Sequence, residues 1–426
     1  MPQKIVVIGS GFAGMWSALA ARRLIVSNLK DGGQDVEVLV VAPEPRLVIR
    51  PRLYQENPET LSAPLEDVFQ VTGVKFVQGT VESIVVDKHE IVYLDPTGTK
   101  SHLAYDRLIL AAGSRLQRPN IPGLQEHSFD VDQFEGAVKL DTHLKSLVSV
   151  APSQARDTFV ICGGGFTGIE LAAELPQRLR TLFGEKANFR IVIVERNSEI
   201  GPDLGPNPRP VILQALKDLG VEIKLGTTVT EIDAEGVVLS TGERIDTLTA
   251  VWTAGMIAND LNQQIPGEKD QAGRLRVDQY LRALSVNDIF ATGDAAIAAT
   301  DDKGNFSLMS CQHAMPLGTA AGHNAASDLL GVTMMPYSQP YYGTCLDLGA
   351  FGAVVGEGWE RKVIFKGKDA KSIKNFINGT LIYPPEANLD EAFGGADPAV
   401  SAAPAARRLY LSMMDDASKM SLAAAN

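Results

Sequence analysis

"CGGGFTGIELAAEL", residues 162–175, follows the apolar run "TFVI" and is followed, after a helix-length stretch, by "RIVIVER" at residues 190–196. Strand, glycine turn, helix and second strand in that order make a βαβ unit whose turn cradles the phosphates of a dinucleotide. Gly163 supplies the tight turn, Gly165 leaves bare backbone in front of a pyrophosphate, and Gly168 lets helix and strand pack closely. Glu195 ends the second strand, where a carboxylate accepts both ribose hydroxyls and repels a 2′-phosphate. That favours NADH over NADPH, a preference that the adjacent Arg196 softens. The turn-to-acid distance exceeds the usual interval of about twenty residues, because "PQRLRTLFGEKANF" lengthens the helix and its exit.

The same pattern stands near the N-terminus. "KIVVIG" runs into Gly9, Gly11 and Gly14 in G-x-G-x-x-G spacing, and "MWSALAARRL" carries the helix onward. The next strand, "VEVLVVA", stops at Ala42, so the acid available to a ribose is Glu44, two residues later. Two such turns in one chain imply two dinucleotides.

Composition narrows the class. A chain of 426 residues is longer than one ordinary domain and points to two folded units. Its net charge of −12 and lack of any Lys/Arg block exclude a nucleic-acid surface. "MPQK" passes directly into "IVVIG", and no run of eighteen apolar residues follows, so neither export nor a transmembrane segment is expected. Cys162, Cys311 and Cys345 stand without CxxC spacing, which fits a reducing cytoplasm and argues against disulfides or a metal site.

Two further stretches decide what the first turn holds. "YDRLILAAGSR", residues 105–115, and "VNDIFATGDAA", residues 286–296, each run a strand into a small-residue turn. They resemble the flavin-side motifs of the two-dinucleotide-domain flavoproteins, with Ala111-Ala112-Gly113 in one and Gly293-Asp294 in the other. Alone, Asp294 also reads as a helix cap. The resemblance implies an α/β fold with two Rossmann-like domains and a smaller C-terminal α+β region. An FAD domain of residues 1–115 and 285–330 is interrupted by an NAD(H) domain of residues 116–284. Residues 331–426 take an acceptor-side or interface role. FAD would then meet Gly9, Gly11, Gly14, Glu44, Ala112, Gly113, Gly293 and Asp294, and NADH would meet Gly163, Gly165, Gly168, Glu195 and Gly255.

Within that superfamily the chain resembles the type II NADH dehydrogenases, single-subunit NADH:quinone oxidoreductases. "PRLYQ" at residues 51–55, "GGGFTGIELAAEL" and "VWTAGM" at residues 251–256 carry the likeness. "MSCQHAMPLGTAAGHNAASDL", residues 309–329, resembles their Ala-Gln-x-Ala helix start, with Cys311 replacing the first Ala and Gln312 at the quinone-contacting position. The resemblance implies hydride transfer from NADH to FAD and onward transfer to a quinone or other small acceptor. Glu170 would lie near the nicotinamide and Gln312 near the acceptor, and a homodimer stays open. Gln312 alone also reads as a helix-start residue satisfying backbone groups.

The likeness weakens toward the C-terminus, where that family carries an amphipathic membrane-docking region. Here "EANLDEAFGGADPAVSAAP" reads as a polar loop and "ARRLYLSMMDDASKM" as one short helix packing on its own domain. A cytoplasmic protein, at most peripheral at the inner face of the membrane, is expected. "KGKDAKSIKNFI", with Lys366, Lys368, Lys371 and Lys374, reads as a solvated helix face. No Cys precedes residue 162, which argues against a disulfide reductase. Two alternatives remain: a sulfide:quinone reductase-like enzyme using Cys162 and Cys345, and a flavin-bound, NADH-responsive redox sensor or apoptosis-factor-like interaction protein. Cys162, at the end of an apolar strand, reads more simply as a buried, inert thiol.

Overall fold

The computed structural model describes residues 2–30 and 35–399. Two five-stranded parallel sheets organise it. The first runs in the order Ile289–Ala291, Arg107–Leu110, Gln3–Ile8, Val36–Ala42, Lys75–Gln78. The second runs Ser128–Phe129, Thr249–Trp252, Thr158–Cys162, Arg190–Val194, Val221–Lys224. In both, the strand entering a glycine turn is central and the strand leaving the following helix lies directly beside it. Ile8 is in register with Val41 and Leu110, and Cys162 with Val194 and Trp252. Strands covered on both faces need unbroken apolar runs. Accordingly Ile5, Val6 and Val7, like Phe159, Val160 and Ile161, have no solvent exposure.

The helices that follow the two turns are covered by different partners. Phe12–Lys30 lies against the long helix Cys311–Leu330 through small residues. A Cβ on Gly318 would fall 2.4 Å from the carbonyl oxygen of Ala13, and one on Gly322 would fall 1.9 Å from that of Ser17. The Ser17 hydroxyl donates to the Gly318 carbonyl at 2.9 Å, so the small faces also satisfy a buried polar group. Enlarging either glycine would drive the helices apart at a cost of at least the usual 1–3 kcal/mol of overpacking, roughly.

The second helix, Phe166–Phe183, is covered by the C-terminal region. There Gly343–Asp347, Ala353–Glu357 and Lys362–Gly367 form an antiparallel sheet that leads into the helix Lys368–Phe376 and a π-turn at Ile377–Leu381. Leu346, Leu348 and Val354 share an apolar cluster with Ile169, Leu171 and Leu175. Gly349, at φ 56°, approaches so closely that a Cβ would lie 2.0 Å from the Ala173 carbonyl oxygen. Part of the stretch expected to be a polar loop is instead the helix Leu389–Gly395, because the Asn388 side chain accepts from the Glu391 N–H and Ala392 is buried. The short helix expected in residues 406–420 lies outside the described residues. Among the described residues no helix is long and apolar enough to cross a membrane.

Candidate functional site

A single cavity of about 1690 Å³ reaches both glycine turns and the C-terminal sheet. At its first end the backbone builds a cradle from close approaches. Gly9 has φ 104°, and a Cβ there would meet the Ala111 carbonyl oxygen at 2.5 Å, while a Cβ on Gly14 would fall 1.9 Å from the Gly9 carbonyl oxygen. Gly11 is different: a Cβ there would meet nothing within 4 Å, and the residue lines the cavity. Gly9 and Gly14 therefore shape the turn, whereas Gly11 leaves open space in front of bare backbone, the geometry a phosphate-bearing ligand requires.

Gly113 and Gly293, at φ 69° and 60°, line the same end with Asp294. Ala112 sits between wall residues Ala111 and Gly113 and is not itself part of the wall. Asp294 accepts from the Ser114 hydroxyl at 2.7 Å and stands 3.5 Å from Arg50. Burial pushes its carboxyl upward, against the opposing pull of Arg50 and Ser114. Arg50 also pairs with Asp132 and donates from Nε to the Asp132 carbonyl at 3.0 Å. Sequence reasoning passed over Arg50; the signal was its position immediately before the quoted "PRLYQ". Glu44 lines the cavity but is half exposed and bound to Arg46 at 2.5 Å.

The second turn repeats the first. Gly163 has φ 126°, a Cβ on Gly168 would lie 1.9 Å from the Gly163 carbonyl oxygen, and a Cβ on Gly165 would meet nothing within 4 Å. The helix that starts at Phe166 has no side-chain cap, so its first N–H groups face the cavity end of the turn unclaimed by side chains. Thr253 steadies the turn by donating to the Gly163 carbonyl at 3.1 Å. Glu195 is buried; its Oε2 accepts from Gly164 N–H at 2.8 Å and its Oε1 from Asn197 N–H at 2.8 Å and Nδ2 at 2.6 Å. A carboxylate has about four acceptor positions, so three are taken and the group is aimed with capacity to spare. Gly255, at φ 78°, lines the cavity opposite Gln117.

Where the C-terminal region covers the second helix lies a buried ionic network. Lys374, 5% exposed, is 2.8 Å from Glu170 Oε1 and donates to the Cys345 carbonyl at 3.1 Å. Asp347 N–H donates to the same Glu170 oxygen at 2.9 Å, while the Asp347 carboxylate accepts from Tyr54 OH at 3.0 Å and Lys371 at 2.5 Å. Burial pushes the Glu170 carboxyl up to about 7, only partly offset by Lys374. Burial works against a charged Lys374, yet Glu170 and its other anionic neighbours hold it above the ordinary lysine value. This corrects the expectation of a solvated lysine face. Lys371 and Lys374 turn inward to neutralise carboxylates, which nothing in local charge spacing distinguishes from an exposed stripe.

At the far end, Ser310 caps the helix Cys311–Leu330 by accepting from the His313 N–H. With its amide in the orientation that satisfies both partners, Gln312 donates to the Gly343 carbonyl at 2.5 Å and accepts from Gly343 N–H at 3.1 Å. The side chain thus bonds the helix start to the edge of the C-terminal sheet while lining the cavity. Behind it His313 is fully buried and stacked on Tyr342 at 5.3 Å, and burial pushes its imidazole down to about 4. All three thiols line the cavity. Burial raises Cys162 and Cys345 to about 12 and Cys311 to about 11, which keeps them protonated at neutral pH.

Residues 3–318 match the sequence profile of the pyridine nucleotide-disulphide oxidoreductases. An NADH dehydrogenase-like protein of Mycobacterium tuberculosis is 46% identical over 385 residues, covering 90% of this chain and 94% of that one. Demethylphylloquinone reductase of Synechocystis sp. is 31% identical over 363 residues, 83% of this chain and 86% of that one. Among solved structures, NDH2 of Plasmodium falciparum in complex with NADH superposes with a TM-score of 0.76 at 15% identity, covering 93% of this chain and 97% of that one. The last is a likeness of fold.

Proposed function

This chain belongs to the pyridine nucleotide-disulphide oxidoreductase family and is an NAD(P)H dehydrogenase, and from that premise we propose that it uses FAD to carry electrons from NADH to a quinone or another small acceptor. The observation that carries the reading is the single cavity whose wall includes Gly11, Gly165, Glu170 and Gln312. The two open glycine positions suit two phosphate-bearing ligands in one space. Residues 1–115 with 285–330 would form the FAD domain and residues 116–284 the NADH domain, with residues 331–426 closing the acceptor side.

Bound FAD supplies hydride acceptance and onward electron transfer. The chain does the rest by placement. Gly9, Gly11 and Gly14, with Ala112, Gly113 and Gly293, shape the FAD cradle, and Asp294 and Glu44 offer carboxylates to its hydroxyls. Gly163, Gly165, Gly168 and Gly255 receive NADH, and Glu195, a carboxylate already oriented by the Gly164 N–H, accepts from its ribose hydroxyls. Glu170 and Lys374 hold a proton beside the nicotinamide position, where a carboxyl poised near neutrality can give it up or take it back. Gln312 keeps the helix start and the Gly343 strand together at the acceptor end. Work at the cytoplasmic side, with at most peripheral contact with the inner face of the membrane, completes the reading.

Anaerobic NADH should bleach the yellow of the purified protein, and a quinone should restore it. Absence of bleaching removes the NADH assignment, whereas bleaching without recovery in any quinone moves the acceptor to another class.

A further inference from the structure

The cavity wall carries Arg46, Arg50, Arg196, Arg274, Arg361 and Lys374. Arg46, Arg50, Arg274 and Lys374 each meet a carboxylate: Glu44, Asp132, Asp270 and Glu170 in turn. Among the described residues Arg196 and Arg361 form no ion pair. Arg196 stands beside Glu195, where its part in nucleotide choice has been described. Arg361 has no part yet.

Arg361 projects from the hairpin between Ala353–Glu357 and Lys362–Gly367 and holds φ 52°, a left-handed backbone that a non-glycine residue adopts at a cost. Its guanidinium lies 5.7 Å from the Tyr342 ring centroid, and its Nε is buried with no hydrogen-bond partner. Its Nη1 would be 3.9 Å from a Cβ on Gly205. Gly205 closes the loop that rests on the second glycine turn, where Gly201 N–H donates to the Gly164 carbonyl at 2.8 Å. Asn207 fixes the hairpin to the same loop by donating to the Glu360 carbonyl at 2.8 Å. A cation from the C-terminal region is therefore delivered to the border of the nucleotide unit, facing a cavity and lacking a counter-ion.

We propose that Arg361 is a binding contact for the diphosphate of the pyridine nucleotide, supplied across the cavity from the C-terminal hairpin. The inference rests on assignment of the second turn to that nucleotide. The uncapped helix at Phe166 offers N–H groups to the diphosphate, and Arg361 offers a planar fork whose geometry matches phosphate oxygens. Its approach to the Tyr342 ring, together with the hydrogen bond it donates to the Tyr342 hydroxyl, holds the fork in place before the ligand arrives.

The test uses full-length, flavin-loaded protein and ADP-ribose, which carries the diphosphate but has no hydride to give. Binding is read by tryptophan fluorescence at low and high salt. Arg361→Asn, chosen because Asn tolerates the left-handed backbone, should raise the Kd for ADP-ribose about tenfold and flatten its salt dependence. Arg361→Gly should bind as weakly as the Asn variant while melting no lower than the parent, and Arg361→Lys should regain part of the affinity. AMP, with one phosphate, should bind all of these within about twofold of one another. Unchanged ADP-ribose affinity in both the Asn and Gly variants would overturn the proposal, as would equal losses for ADP-ribose and AMP. Unchanged ADP-ribose binding with a raised KM for a carboxylated quinone would place the guanidinium at the acceptor instead. If the parent protein itself fails to bind ADP-ribose, the nucleotide assignment of the second turn falls first, and Arg361 with it.

Discussion

A Cβ added to Gly14 would fall 1.9 Å from the carbonyl oxygen of Gly9, and one added to Gly168 would fall 1.9 Å from that of Gly163. In backbone terms the two turns are one device used twice. They part company in what surrounds them. The acid after the first turn, Glu44, lies beyond its strand, half exposed and bound to Arg46; the acid after the second, Glu195, is buried and held by Gly164 and Asn197. The helix after the first turn is covered by small residues of a second helix, whereas the helix after the second carries Glu170 into an ionic network with Lys374 and Asp347. The backbone leaves the same open glycine position in both places, and on the proposed reading the side chains around it would decide whether a dinucleotide is retained or exchanged.

Gly11 and Gly165 give the hardest test of that division. Each faces open cavity, so Gly11→Val should fold and yet purify colourless, because the added methyls occupy the space of a pyrophosphate. Gly165→Val should stay yellow and lose reduction by NADH. A fully flavinated Gly11→Val protein would mean that the two turns have been assigned to the wrong ligands.

The buried pair comes next. Removing one partner of a buried ion pair leaves an uncompensated charge, at a cost of about 3–5 kcal/mol in typical cases, so Lys374→Met should lower the unfolding midpoint markedly. Glu170 has its folded value near 7, above that of an unfolded Glu. The stability it contributes is therefore complete below the unfolded value, about 4.3, and is lost as pH rises through 7. Activity that draws on its proton should fall across the same interval. Glu170→Gln should flatten the profile; an inflection that persists in this variant assigns the proton to another group.

Glu195→Ala should weaken NADH binding by about 1–3 kcal/mol and NADPH binding by less, since the carboxylate no longer repels a 2′-phosphate. Equal losses for both nucleotides would take Glu195 out of the ribose site. The smallest effect is expected at the thiols. Cys162→Ser and Cys345→Ser should keep most of the rate of NADH-driven quinone reduction, because thiols held protonated take no part in an electron relay. Abolished turnover in either well-folded variant would instead favour the sulfide chemistry.

What could be read in the chain was whatever geometry is local. The glycine spacing of both turns, the acid at Glu195 and the motifs around Gly113 and Asp294 each depend on a few consecutive residues, and each lies where its neighbours in sequence place it. The Glu170–Lys374 pair depends on the C-terminal sheet settling onto the second helix, and spacing within "KGKDAKSIKNFI" carries no trace of that. Arg50 joins Asp294 and Asp132 from three separate stretches for the same reason. Gln312 was noticed, but its bond to Gly343 pairs a helix start with a strand edge that only tertiary structure brings near.

The first sheet takes its edge strand, Ile289–Ala291, from chain that follows the entire second sheet, and its covering helix ends at Leu330. During synthesis the N-terminal unit emerges first but lacks both a flank and a lid until that stretch clears the ribosome. The second sheet, whose strands all fall between Ser128 and Lys224 or at Thr249–Trp252, has its full set earlier. The second unit can thus complete its sheet first, yet the strands Gly343–Asp347 and Ala353–Glu357 that cover its helix emerge after Leu330, so neither unit is closed until that last stretch is made.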